Sequence, residues 1–228
     1  MTCPLLAIET SSDACSAALL IGNQYTERFC IERNRHSERL LPMIEDLLTE
    51  AKLTPQDLQV VALGAGPGSF TGLRIGAGVA HGLAIGSGAR IVSVSSLAAL
   101  ASAHCQKLKS LMVAIDARMG EVYYAAYHCD AKGTFDKHTE AQIIAPANLD
   151  IDLRQDWLFV GNAWEIYRQQ WPATIRECLD TSLATDTPHY PRARHIATLA
   201  PLKPIPELAG RNNELPQYVR NTVAVRQP

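Results

Sequence analysis

Two stretches of the chain carry the same unit: an apolar strand ending in an acid, a polar turn, and a second strand running back alongside the first. Leu5-Leu6-Ala7-Ile8-Glu9 leads through Thr10-Ser11-Ser12-Asp13 into Cys15 to Ile21, and Met112-Val113-Ala114-Ile115-Asp116 leads through Arg118-Met119-Gly120 into Glu121 to His128. Two apolar runs around a short polar turn predict a β-hairpin. A repeated hairpin unit points to two similar lobes with a boundary at residues 105–110. This gives a first lobe over 1–106 and a second, smaller or degenerate lobe over 107–228, in a chain of 228 residues that is long enough to bury a core.

Between the hairpins the period changes. Gly22-Asn23 supplies a turn to a third strand from Tyr25 to Glu32. From His36 to Lys52, Leu40, Leu41, Ile44, Leu47, Leu48 and Ala51 form one stripe and charged residues the other, which predicts an amphipathic helix. Ser37 is its expected N-cap. Thr54-Pro55 offers a second helix start with proline at the first position. Val60 to Leu63 reads as a buried strand entering the glycine-rich run Gly64 to Gly72, followed by a helix from Leu73 to about Gly86. Nine of the fourteen glycines fall between Gly64 and Gly88. Several lie inside that helix, where each costs about 1 kcal/mol against alanine, so a compensating contact is expected. A strand at Ile91–Val94 and a helix from Ser96 follow. Beyond the second hairpin, Trp157 to Val160 reads as a strand. Asn162 is positioned to cap a helix carrying Trp164, Tyr167 and Trp171 on one face, as core. The last thirty or so residues are punctuated by Pro201, Pro204, Pro206 and Pro216, predicting a loop and a short final element around Tyr218.

Composition excludes several classes. Hydrophobic residues at 47% and charged residues at 19% argue against a disordered chain. A net charge of -2 offers no global drive toward nucleic-acid phosphates, and the local cluster Arg33, Arg35, Arg39 reads as a solvated face. No apolar run reaches the ~18 residues needed to cross a bilayer. The start lacks a basic n-region and apolar h-region, so a cytoplasmic location is expected. The six cysteines show no zinc-ligand spacing and are expected as reduced thiols.

The glycine-rich run holds the most chemical information. Backbone N–H groups at a helix N-terminus form an anion site by geometry and dipole. The spacing matches neither known phosphate motif, because Gly72 precedes Leu73-Arg74 rather than Lys-Ser/Thr, and Thr71 stands where a dinucleotide fingerprint needs glycine. A structural turn and a ligand loop both remain open, the latter drawing on Glu9, Thr10, Ser11, Gly66, Gly68 and Asp116. Glu9 and Asp116 end corresponding strands; as a pair in a cleft they would hold Mg²⁺ or orient a nucleophile, and as strand-end acids they would face solvent or bond their own hairpins. His36 has no second histidine at i+3 or i+4. No nucleophile context such as Gly-x-Ser-x-Gly is present. No catalytic residue and no metal site is assigned.

Leu6-Ala7-Ile8-Glu9-Thr10-Ser11, His36-Ser37-Glu38-Arg39-Leu40-Leu41-Pro42, Gly66-Pro67-Gly68-Ser69-Phe70-Thr71-Gly72-Leu73-Arg74-Ile75-Gly76, Ser96-Leu97 and Ile115 to Tyr123 together closely resemble the TsaB (YeaZ) family. Pro216-Gln217-Tyr218-Val219-Arg220 is similar to its C-terminal signature. The resemblance implies an α/β, two-lobed actin-like, Hsp70-like (ASKHA) ATPase fold with mixed sheets and helices in each lobe, the last helix packing back on the first lobe. It further implies a non-catalytic paralogue of TsaD, serving as a scaffold that binds and activates TsaD in the bacterial complex that transfers threonylcarbamoyl to the adenosine beside the anticodon. TsaE joins the larger complex, tRNA is met indirectly, and a homodimer forms when TsaD is absent. No cofactor is implied for the chain itself, with ATP entering at the level of the complex. TsaD-like proteins carry His-x-x-x-His at the start of the first helix, and here His36 matches while Leu40 takes the second position, so the metal site lacks a ligand. The partner interface is expected on the first two helices, at His36, Leu40, Met43, Leu47, Leu73, Gly76, Ala77, Ala80 and Ala84. Gly76, Ala80 and Ala84 would be the close-approach ridge, unless that ridge packs on its own sheet. The competing expectation is a stand-alone ATP-hydrolysing or phosphotransferring enzyme of the same fold.

Overall fold

The opening hairpin forms as its pattern predicts. In the computed structural model, which describes residues 3–105, 110–130, 135–153, 156–182 and 189–202, β1 (Leu5–Glu9) pairs antiparallel with β2 (Ala14–Ile21), with Glu9 opposite Ser16. β2 pairs antiparallel with β3 (Gln24–Ile31) across a turn in which Gly22 takes a φ of 62°. On its other side β1 pairs in parallel with β4 (Val60–Gly64), and β4 with β5 (Arg90–Val94), giving the order β3-β2-β1-β4-β5. Every residue of β1 and β4 is buried, as expected for central strands covered on both faces.

Helix α1 (His36–Ala51) turns His36, Leu40, Ile44, Leu47 and Leu48 inward. It starts one residue before the expected cap: Arg35 is at the N-cap, without a side-chain bond, and Ser37 lies inside the helix. The start is set instead by a tertiary contact, because His36 Nε2 lies 2.9 Å from the Ser12 carbonyl and 3.2 Å from that of Ala14, straddling the β1–β2 turn. Thr54 and Pro55 begin a short 3-10 turn closed by Asp57, whose carboxylate accepts from the Thr54 N–H and hydroxyl. Helix α2 (Phe70–Ser87) starts earlier than its apolar pattern indicates, since Ser69 caps it by accepting from the Gly72 N–H. α1 and α2 cover the sheet face formed by Leu6, Ile8, Cys15, Ala17, Leu19, Val61 and Leu63.

After α3 (Ser96–Ser102) the second hairpin forms from β6 (Ser110–Arg118) and β7 (Glu121–Cys129). β7 also pairs with β8 (Phe135–Lys137) and β9 (Gln142–Ile144), and β6 pairs in parallel with β10 (Trp157–Val160). The repeat therefore extends beyond the hairpins: in each sheet the first hairpin strand is flanked on its free side by a parallel strand, β4 beside β1 and β10 beside β6. The single helix expected after Asn162 is broken into α4 (Ala163–Ile166), a 3-10 turn at Arg168–Gln170, and α5 (Ala173–Ser182). Asn162 stands at the N-cap of α4, but its side-chain carbonyl accepts the Asp116 N–H rather than a helix N–H. The aromatics nonetheless form the core, with Trp164 tilted against Trp171 at a ring separation of 4.5 Å and edge-on to Phe159.

Helix α6 (Ala193–Leu199) packs on β1 and β2 of the first sheet, on the face opposite α1 and α2, where the Ala193 N–H donates to Ser16 Oγ at 2.9 Å. Arg192 clamps it, bonding Glu27 at 2.6 Å with its guanidinium 4.2 Å over the Phe29 ring. Among the described residues one compact unit holds 3–99 together with 191–202, and the second holds the described residues between 100 and 190. The hairpin repeat marks where a sheet restarts but carries no sign of a distant helix crossing back. The element expected around Tyr218, Pro204, Pro206, Pro216 and the C-terminal signature lie outside the described residues. One thiol expectation changes: Cys105 and Cys129 are joined as a disulfide, while Cys3, Cys15, Cys30 and Cys178 are free.

Candidate functional site

Glu9 is fully buried at the end of β1. Its Oε1 accepts the Ser11 N–H and its Oε2 the Ser96 hydroxyl, both at 2.6 Å. Ser96 in turn accepts the Gly66 N–H on Oγ, and its own N–H donates to the Gly66 carbonyl. One carboxylate thus ties together the β1–β2 turn, the loop after β4 and the start of α3. Burial pushes its pKa above the usual carboxylate range, against the opposing pull of the Ser11 and Ser96 bonds. Glu9 is a candidate site residue from the sequence, whereas Ser96 enters only as a helix start and as part of a family motif.

The glycine-rich loop lies against the same turn. A Cβ at Gly68 would overlap the Ser11 carbonyl, and one at Gly72 the Thr10 carbonyl. The gaps are held by Ser69 N–H to Ser11 O at 2.6 Å and Thr10 Oγ1 to Gly72 O at 2.8 Å. Glu9, Thr10 and Ser11 are at most 2% exposed. Gly68 and Gly72 thus seat one backbone turn against another, which is the close-approach use of glycine.

Asp116 of the second unit is likewise engaged by its own surroundings. Its Oδ1 accepts the Arg118 N–H at 2.7 Å and the Tyr167 hydroxyl at 2.8 Å, and its Oδ2 pairs with the Arg118 guanidinium at 2.9 Å. The bonds brace a turn in which Arg118, Met119 and Gly120 all take positive φ. Burial and the bond to Asp116 push Tyr167 up to about 12. Tyr167 and Asn162 are partners that no local sequence signal announces.

The expected interface residues fall mostly inside the first unit. His36, Leu40, Leu47, Leu73, Gly76, Ala80 and Ala84 are buried, and Met43 and Ala77 are partly buried against the same core. Gly76 faces Thr10, Leu63 and Ile8 of its own sheet. The ridge Gly76, Ala80, Ala84 is therefore the inner ridge of α2. The outer one runs through Gly78, Gly82 and Gly86, where an added Cβ would meet nothing within 4 Å. Beside it Ile85 is 71% exposed, and on α1 Leu41 is 54% exposed. The basic cluster is neutralised locally, with Arg35 paired to Glu32 and Glu38, and Arg39 to Glu32.

Residues 31–224 match the family model described as "TsaD: tRNA N6-adenosine threonylcarbamoyltransferase". Among curated proteins the chain is 38% identical over 178 residues to the "tRNA threonylcarbamoyladenosine biosynthesis protein TsaB" of Escherichia coli, covering 76% of this chain and 75% of that protein. The chain belongs to the TsaB family. The TsaB of Bacillus subtilis is 31% identical and matches over 95% of this chain and 93% of its own. Among solved structures, "YeaZ from Pseudomonas aeruginosa" superposes with a TM-score of 0.77 at 32% identity, covering 88% of this chain and 91% of that one. A second, titled as an uncharacterized protein with similarity to peptidase YEAZ from the same organism, superposes at 0.81 with 32% identity, over 96% of this chain and 100% of that one. The two sheets with flanking helices accordingly have the actin-like ASKHA fold, and this TsaB-family chain takes part in tRNA threonylcarbamoyladenosine biosynthesis. Among the described residues no helix is long and apolar enough to cross a membrane.

Proposed function

We propose that the chain is a non-catalytic subunit that docks on the transferase TsaD through the outward faces of α1 and α2 and supports its activity. One observation carries this reading. α2 keeps three glycines on its outer ridge with open space in front of them, although each glycine in a helix interior costs about 1 kcal/mol against alanine. A ridge without side chains lets a second helix approach closely, and the exposed Ile85 next to it on α2 and Leu41 on α1 add apolar area. The match to the TsaD family model supports a partner built on a related lobe. In the absence of that partner the same face would pair two copies of this chain. TsaE, ATP and tRNA enter through the assembled complex, in keeping with a net charge of -2 on this subunit.

The test is co-purification with TsaD of the wild type and of Gly82→Arg. Gly82 points into open space, so the arginine leaves the fold intact and is expected to remove most of the bound TsaD. Retention of TsaD at wild-type level refutes the interface. ATP turnover by the purified chain alone, abolished by Glu9→Ala, refutes the non-catalytic role.

A further inference from the structure

Among the described residues two pairs of cysteines come together, and they are treated differently. Cys15 and Cys30 stand directly opposite each other on β2 and β3, yet both remain thiols. Burial in the first core pushes Cys15 up to about 12 and also raises Cys30, which keeps the reactive thiolate unpopulated. Cys105 and Cys129, both in the second unit, are joined across a sequence separation of 24 with their Cα atoms 5.7 Å apart, inside the range a disulfide spans without backbone movement. Cys129 ends β7, one residue beyond the last pairing of that strand with β6, Ser110 with His128. Cys105 follows α3. The bond therefore ties the chain leaving α3 to the second sheet at the point where β6 begins. The two sulfurs also differ in access, since Cys129 is fully buried and Cys105 is half-buried.

We propose that Cys105–Cys129 is a reversible redox site that fastens the exit of α3 to β7 when oxidised and releases it when reduced. The reductant is a dithiol and the oxidant a small or protein disulfide. In the opening direction a thiolate of the dithiol attacks Cys105 Sγ, the more exposed sulfur; the Cys105–Cys129 bond breaks and Cys129 leaves as a thiolate that takes up a proton. The second thiol of the reductant then attacks the mixed disulfide, releasing Cys105 as a thiol and leaving the reductant as its own disulfide. Closure is the reverse, with two thiols oxidised and one disulfide reduced. The crosslink removes loop freedom from the unfolded chain, so closure raises stability. For a loop of this length in a chain of this size the rise in Tm is about 5–10 °C.

The experiment equilibrates the full chain, under native conditions, with oxidised glutathione or with dithiothreitol, blocks remaining thiols with a maleimide, maps the linked peptides by mass spectrometry and records Tm. The expected result is one intramolecular link, Cys105 to Cys129, with a Tm about 5–10 °C above the reduced form. Dithiothreitol reverses it without denaturant. The difference vanishes in Cys105→Ser and in Cys129→Ala, each compared with itself under the two conditions, and persists in Cys3→Ser. Links at other cysteines, glutathione adducts in place of the link, a bond that opens only after denaturation, or a Tm difference that survives Cys105→Ser would each overturn the proposal.

Discussion

The same substitution, glycine to alanine, is expected to have opposite signs at two places on α2. At Gly78 and Gly82 the new methyl meets nothing within 4 Å. Only helix propensity then acts, and each change stabilises by about 0.8–1 kcal/mol. The double variant gains about 2 kcal/mol, which at roughly 2–4 °C per kcal/mol for a chain of this length raises Tm by about 4–8 °C. At Gly72 the propensity gain is the same, but the methyl overlaps the Thr10 carbonyl. The β1–β2 turn must move, which disturbs the bonds Thr10 Oγ1 to Gly72 O and Ser69 N–H to Ser11 O. Two hydrogen bonds at about 1 kcal/mol each and an overpacking cost of about 1–3 kcal/mol outweigh the gain, leaving Gly72→Ala destabilised by about 2–4 kcal/mol. Urea unfolding followed by circular dichroism measures the two outer single variants, their double variant and Gly72→Ala. A stabilised Gly72→Ala would show that the turn does not rest on the helix start. Destabilised Gly78→Ala and Gly82→Ala would show that the outer ridge is not open. The partner reading adds a second readout, since the stabilised double variant should bind TsaD less tightly than wild type.

Two further outcomes follow from buried charges. Because burial raises Glu9 in the folded chain, the folded state holds that proton more tightly than the unfolded one; its contribution is present below the unfolded value of about 4.3 and is lost as pH rises toward the folded value. The stability of wild type minus that of Glu9→Gln should therefore fall with rising pH from about 4 upward, measured by urea unfolding, and parallel pH profiles for the two proteins would contradict this. Arg192→Ala leaves the Glu27 carboxylate, 8% exposed, without its guanidinium partner and strips the cation from Phe29. The expected loss is about 2 kcal/mol or more, with faster amide exchange concentrated in Ala193–Leu199, and unchanged exchange there would refute the clamp.

Much of the fold was legible because its signals are local. Alternating apolar runs around polar turns determine β1–β2 and β6–β7, the stripe Leu40, Ile44, Leu47 determines α1, and the recurrence of the hairpin gives the two related units. The short motifs around Glu9, His36, Gly66–Gly76 and Asp116 were enough to place the chain in its family. Ser37 lies inside α1 and Asn162 holds the N-cap of α4 without a capping bond, because tertiary partners took over: His36 reaches the β1–β2 turn and the Asn162 side chain reaches the Asp116 N–H.

The sequence by itself determined the elements, their repeat and the presence of a small-residue helix. Only the tertiary structure decided which ridge of that helix faces outward, because Gly76-Ala80-Ala84 and Gly78-Gly82-Gly86 have the same spacing, and the phase is set by where Thr10, Leu63 and Ile8 press against it. The place where α6 docks on the first sheet, at Ser16, and the meeting of Cys105 with Cys129 were decided there too. Both are contacts between residues far apart along the chain, and packing, rather than any local propensity, brings them together.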